Sequence, residues 1–335
     1  MKTHQKLALV LLAAFAISTI DARESTAQDA STRTISLATL APPGSTWMRV
    51  YDSWTREVRR RSNQSLTLRF YAGGVQGDES EVIRKIRNGR LDGAGVTAVG
   101  LGQIYRPALV FQMPGILRSY EQLDRARDAM QADMDTGFGG AGFRLIGWAD
   151  VGQARLFSTS PVRVPADLAS RKPFAWRDDS VLPTLYSIIR SNPVRLQLPE
   201  VLGALQTNRI DTLITPPVPC VQLQWCSRLT HMMDTPLSIV LGGTVMSKAK
   251  WDALTPEQQT ILRETGAQFH ALARRNLRND ERTALGTIAS RGIQAVAITP
   301  AQRAEWERLG TQVRERLTGQ IADAALISRV SAFGR

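Results

Sequence analysis

The chain has 335 residues, of which 43% are hydrophobic and 21% charged, with a formal net charge of +12 at pH 7. That balance excludes a disordered chain and allows two ordinary domains with real cores. Two cysteines, Cys220 and Cys226, exclude a disulfide-rich scaffold. The basic residues are scattered among Asp and Glu, with no dense Lys/Arg tract, so solvated Arg-rich faces are expected and nucleic acid is not.

At the N-terminus, Lys2 and Lys6 precede an apolar run from Leu7 to about Ile20, followed by small and polar residues including Ala22 and Ala27. This order predicts a signal peptide over residues 1–27, cleaved near 22–27; an uncleaved anchor is the other reading. The run is shorter than the roughly 20 apolar residues a spanning helix needs. No cysteine lies near the cleavage region, so a lipid anchor is not expected. The mature chain is expected to be soluble and periplasmic.

The mature fold opens with an apolar strand at Ile35–Leu40 and a turn at Pro42-Pro43-Gly44-Ser45. Ser45 or Thr46 then caps a helix on which Met48, Tyr51, Trp54 and Val58 recur at helical spacing. A strand follows at Ser65–Tyr71, with Leu66, Leu68 and Phe70 alternating. Strand, helix, strand in this order predicts a parallel α/β layer.

Two segments then match. Residues 81–92 and 200–211 both read as a short amphipathic helix with apolar residues at positions 2, 3 and 6. Each ends in a residue that tolerates the left-handed conformation, Gly89 or Asn208. An Arg, an aliphatic residue and an Asp lead into a strand, Ala94–Val99 or Thr212–Thr215. A unit built twice predicts two lobes. Gly137–Gly142 is expected to be a turn before a strand at Leu145–Trp148. The polar stretch Asp150–Arg155 is a candidate crossing between lobes, with a return near Ser227–Asp234. Thr255-Pro256-Glu257-Gln258 starts a long helix, with Thr at the cap and Pro at its first position. The expected lobes are residues 34–151 plus about 228–280, and 152–227 plus about 281–330. Cys220 and Cys226 fit either a small-loop disulfide or two buried thiols.

The sequence carries little that could support catalysis. There are three histidines, His4, His231 and His270, with no HExxH, Cys/His cluster or G-x-S-x-G. His231 reads as structural. No catalytic residue, metal ligand or cofactor is expected, and an extracytoplasmic enzyme is the weakest functional reading.

Several stretches carry a resemblance. Ala38 to Trp47 resembles the opening strand and loop of the TRAP-transporter solute receptors, the DctP-like family of substrate-binding proteins. Gly73 to Glu79 is similar to that family's Gly-rich turn before its second helix. Asn88–Asp92 and Ala204–Asp211 resemble its paired helix-turn-strand motifs. Pro165–Leu168 resembles the segment leading to its ligand strand, and Trp251–Gln258 its long-helix entry. The resemblance implies an α/β, two-lobed periplasmic binding protein with a hinged cleft and a long lobe-bridging helix. It implies a small-molecule ligand and TRAP membrane permease subunits as partners; a monomer is expected.

The departures bear on the ligand. The family's carboxylate-clamping Arg has its place at Phe174, unless Arg171 or Arg177 takes that role. A phenyl ring cannot replace a bidentate fork. Thr215 stands where the family often has Asn, and Arg155 is a candidate for another family Arg. The expected ligand-binding residues are Trp47, Gln76, Trp148, Gln153, Arg155, Phe174, Trp176, Thr215 and Trp225. They predict a ligand more hydrophobic than a dicarboxylate. The alternatives are a carrier or sensor for a lipid-like ligand working without a TRAP permease, and an organic-acid receptor with a displaced Arg clamp.

Overall fold

A computed structural model describes residues 32–335; the signal expected over residues 1–27 lies outside them. The first strand, β1 (Arg33–Thr39), is followed by α1 (Thr46–Arg61), β2 (Leu66–Tyr71), α2 (Glu79–Arg87) and β3 (Gly93–Thr97). β1 pairs in parallel with β2 on one edge and β3 on the other. Ser45 caps α1, its side chain accepting the Met48 N–H, and Met48, Tyr51, Trp54 and Val58 form the buried face. Next come α3 (Ala98–Ile104), α4 (Tyr120–Gly140) and the 16-residue β4 (Phe143–Ser158).

The same plan then recurs as β5 (Phe174–Trp176), α5 (Val181–Ile188), β6 (Val194–Leu196), α6 (Val201–Gln206) and β7 (Thr212–Thr215). β5 pairs in parallel with β6, and Pro173 bridges in parallel to Thr212, the residue that opens β7. The duplicated motif is matched bond for bond. Gly89 (φ 72°) and Asn208 (φ 54°) both adopt the left-handed conformation. Arg90 N–H donates to the Lys85 carbonyl as Arg209 N–H donates to that of Ala204. Asp92 N–H donates to the Ser36 carbonyl while its carboxylate accepts the Ser36 N–H at 2.8 Å. Asp211 makes the same two bonds with Lys172, accepting its N–H at 2.9 Å. Each Asp therefore fastens its strand to the one that opens its lobe.

The rest of the chain supplies α7 (Pro217–Gln222), β8 (His231–Met233), β9 (Ser238–Ser247), α8 (Lys248–Asp252), α9 (Pro256–Ser290), β10 (Gln294–Val296), α10 (Pro300–Leu317) and α11 (Ala324–Ser331). β9 pairs antiparallel with β3, and β7 pairs antiparallel with the end of β4. β4 and β9 pair with each other from Phe143–Ser247 to Ala154–Ser238. These two strands are the crossings. The outward one lies where Asp150–Arg155 was expected, as continuous strand with a register shift between Asp150 and Gly152. The segment expected to return, Ser227–Asp234, instead holds the end of a 3-10 turn and β8, which pairs with β4 and β10. The return runs along β9.

Gly137–Gly142 is not a turn throughout, because α4 continues to Gly140. A Cβ at Gly137 would lie 2.2 Å from the Tyr105 ring, so glycine there permits a close helix contact rather than a bend. α9 spans 35 residues, about 52 Å at helical rise. Thr255 and Gln258 form a capping box at its start, with Pro256 at the first position. It packs against α1, β4 and α7, and so bridges both copies of the plan. Trp54, 1% exposed, locks α1 to it by donating from Nε1 to the Thr265 hydroxyl at 2.9 Å. The molecule is a two-lobed α/β protein.

Candidate functional site

A cavity of about 190 Å³ opens where the carboxyl ends of the parallel strands from both lobes converge. Its wall is built by Thr39 and Leu40 at the end of β1, Val96 and Thr97 at the end of β3, Phe174 and Trp176 of β5, and Thr215 and Pro216 after Ile214 in β7. The duplicated strands thus deliver equivalent ends from opposite sides. Leu182, Leu198, Leu223, Val99 and Val240 add aliphatic surface.

No Lys, Arg or His is among the residues lining this cavity, whereas Glu79, Asp150 and Asp179 are. Glu79 is 2% exposed and accepts the Thr97 N–H at 2.7 Å, the Thr97 hydroxyl at 2.9 Å and the Gly100 N–H at 2.6 Å. Burial pushes its carboxyl up to about 7 against the pull of these donors. Asp179 is also raised by burial, although it accepts the backbone N–H groups of Val181 and Leu182. Asp150 is fully buried and held by Arg127 and by Arg278 of α9, each at 2.8 Å, and both guanidinium groups also reach Asp124. Its carbonyl accepts the Trp47 Nε1–H at 3.3 Å. The nearby cations are thereby committed to carboxylates behind the wall.

One carboxylate ties the lobes together. Asp78 caps α2 by accepting the Glu79 N–H at 2.8 Å, and its other oxygen accepts Trp176 Nε1–H at 2.9 Å and Leu198 N–H at 3.3 Å. Both latter donors come from the second copy of the plan.

Of the residues singled out in the sequence, Trp47, Phe174, Trp176, Thr215 and Trp225 line the cavity. Phe174 and Trp225 lie 6.4 Å apart, centroid to centroid. The other four lie elsewhere. Gln76 sits in the Gly-rich turn, where its carbonyl and side-chain oxygens accept Lys85 Nζ–H groups. Trp148 is a core residue between Phe111 and Phe138, donating to Gln131. Side chains alternate along β4, so Ala154 lines the cavity while Gln153 and Arg155 do not; the Gln153 backbone N–H donates to Glu281 of α9, and Arg155 lies within that carboxylate's field. Burial pulls Arg155 below the usual guanidinium range, and its Nε has no partner. Arg171 and Arg177 are also absent from the wall; Arg177 pairs with Glu200 at the surface.

Residues not expected at the site from the sequence complete it: Tyr51, read as part of a helix face, Asp179, read with Asp178 as part of a surface loop, and Gln112 and Gln222. Glu79 lay within the Gly-rich motif and carried the signal of an acid in a helix's first turn. The two glutamines end short helices and carried none. Cys220 and Cys226 form a disulfide that closes the loop next to Gln222 and Trp225.

Paired parallel-strand lobes, crossing strands and a cleft cavity define a two-lobed solute-binding receptor. The model of the bacterial extracellular solute-binding proteins, family 7 (DctP), matches residues 37–319. The chain belongs to that family. The 2,3-diketo-L-gulonate-binding periplasmic protein YiaO of Escherichia coli is 22% identical over 286 residues, covering 80% of this chain and 82% of that one. A TRAP periplasmic solute-binding protein from Shewanella oneidensis with bound succinate superposes with a TM-score of 0.85 at 15% identity, covering 91% of this chain and 100% of that chain. One from Pseudomonas putida F1 with bound D-glucuronate gives 0.82 at 22% identity, covering 90% and 97%.

Proposed function

We propose that the chain is an extracytoplasmic receptor that delivers a small hydrophobic or non-dicarboxylate ligand to a TRAP-type secondary transporter. The observation that carries this reading is the wall itself: it has no cation, and it includes Phe174, which the sequence resemblance puts at the family's clamp position. An acid bound there would lose its hydration with no guanidinium to replace it. The relatives that hold succinate and D-glucuronate carry acids; the wall described above favours a different cargo. The same census weighs against a displaced Arg clamp, since Arg155, Arg171 and Arg177 all lie outside the cavity. The lobe limits proposed from the sequence, 34–151 plus about 228–280 and 152–227 plus about 281–330, fit the β4 crossing, and β9 moves the return to about residue 238.

Native mass spectrometry of gently purified protein, with extraction of the bound molecule, tests the reading. An uncharged, largely apolar molecule is expected; tight binding of C4 dicarboxylates with aliphatic and aromatic ligands inert would sink it. Phe174→Arg is expected to weaken the extracted ligand at least tenfold, through lost apolar contact and a buried charge.

A further inference from the structure

Two half-buried glutamines line the cavity with side-chain oxygens that no protein group meets. Gln112 ends the 3-10 turn Arg106–Gln112, which packs on α3 and β9 in the first lobe. Gln222 ends α7, beside β4 and the disulfide in the second. Both line the cavity, and the side-chain oxygen of each is buried without a hydrogen-bond partner. The other polar groups of the wall are mostly engaged. Trp47 Nε1 is held by Asp150, Trp176 Nε1 by Asp78, and the Glu79 carboxylate by Thr97 and Gly100. An unpaired side-chain oxygen in such a wall is costly unless a partner meets it.

We infer that Gln112 and Gln222 are the specificity-determining pair of the cavity, a two-point clamp for uncharged hydrogen-bonding groups on an otherwise apolar ligand. The inference rests on the uncharged-cargo reading above and narrows it. A primary amide offers both donors and an acceptor, so it matches a hydroxyl, a ketone or another amide. It gives an anion no compensating charge. The two amides come from opposite lobes, so a ligand that joins them makes its second bond only when the lobes are together, and the polar groups report closure. The aliphatic and aromatic wall between them takes the body of the molecule.

The test uses calorimetric titration of the mature chain with the α,ω-diamides from adipamide to sebacamide. Monoamides and dicarboxylates of matching length serve as comparisons. One diamide length is expected to bind best, ahead of its monoamide, with its dicarboxylate inert. Gln112→Leu and Gln222→Leu should each weaken that diamide about tenfold, because the ligand's polar group is then buried unpaired. Each should also raise the ligand-free Tm by about 2 °C, since leucine removes an orphan polar group. Unchanged diamide affinity in both variants, or no diamide binding at any length, overturns the clamp and leaves the uncharged-cargo reading standing. Tight dicarboxylate binding with inert diamides overturns both.

Discussion

Glu79 and His270 are buried, at 2% and 3% exposure, and burial disfavours the charged form of each. Glu79 is pushed up to about 7 and His270 down to about 4. His270 bonds the Gly266 carbonyl through Nδ1 and the Thr244 hydroxyl through Nε2. Between the unfolded carboxyl value of 4.5 and about 7, the folded state holds the Glu79 proton more tightly, so that contribution to stability is lost as pH rises. Between 6.5 and about 4 the unfolded state binds the His270 proton more tightly, so that contribution is lost as pH falls. Each amounts to about 3 kcal/mol at full extent, and in the native chain they oppose one another. Glu79→Gln should therefore leave stability that climbs from pH 4.5 to 6.5, and His270→Asn stability that declines across the same window. Urea titrations over that range check both signs; parallel profiles would refute the pairing. Removing a buried charge also costs: Asp150→Ala leaves Arg127 and Arg278 with Asp124 as their remaining carboxylate and should cost about 2–3 kcal/mol in the same measurement. Phe174 could be placed from the sequence because a motif fixed its position. Gln112 and Gln222 could not, because an amide at a helix end looks the same whether it faces solvent or a cavity.

Among the elements, the short helices carry the consequences. The Cys220–Cys226 bond joins the end of α7 to the turn at Trp225, and both sulfurs lie among buried apolar side chains. Closing so small a loop is worth about 2 kcal/mol, so Cys226→Ser should lower the urea-derived stability by that amount and a reductant should leave the variant unaffected. Asp78 acts at the start of α2 by taking two donors from across the cleft. Trp176→Phe removes one donor while keeping the ring and the helix cap. The ligand-free protein should then populate a more open form, seen as a larger radius of gyration in X-ray scattering; an unchanged radius would show that the latch does not hold the lobes. The repeated helix-turn-strand unit was legible because its left-handed position and its pinning Asp are local chemistry. β4 was only half legible. Its second half is polar on one face, which reads as a loop until the pairing with β7 and β9 supplies its partners.

At the scale of the molecule, the strand exchange makes each lobe discontinuous in sequence, and the periodicity of single segments could not show where the return falls. β3 has no outer neighbour until β9, and Phe143 finds its partner Ser247 roughly 100 residues later. A fragment ending at Leu237 should accordingly show no cooperative thermal transition by circular dichroism, although it contains β1, β2, β3 and β4. A sharp transition would mean that the first lobe closes without its last strand. The same exchange governs the order of events during synthesis. Until β9 has emerged, the growing chain leaves the edge of β3 without its partner, so the strand that closes this sheet lies within the last hundred residues. For a receptor of an extracytoplasmic family, that strand order puts completion of the sheet near the end of the chain.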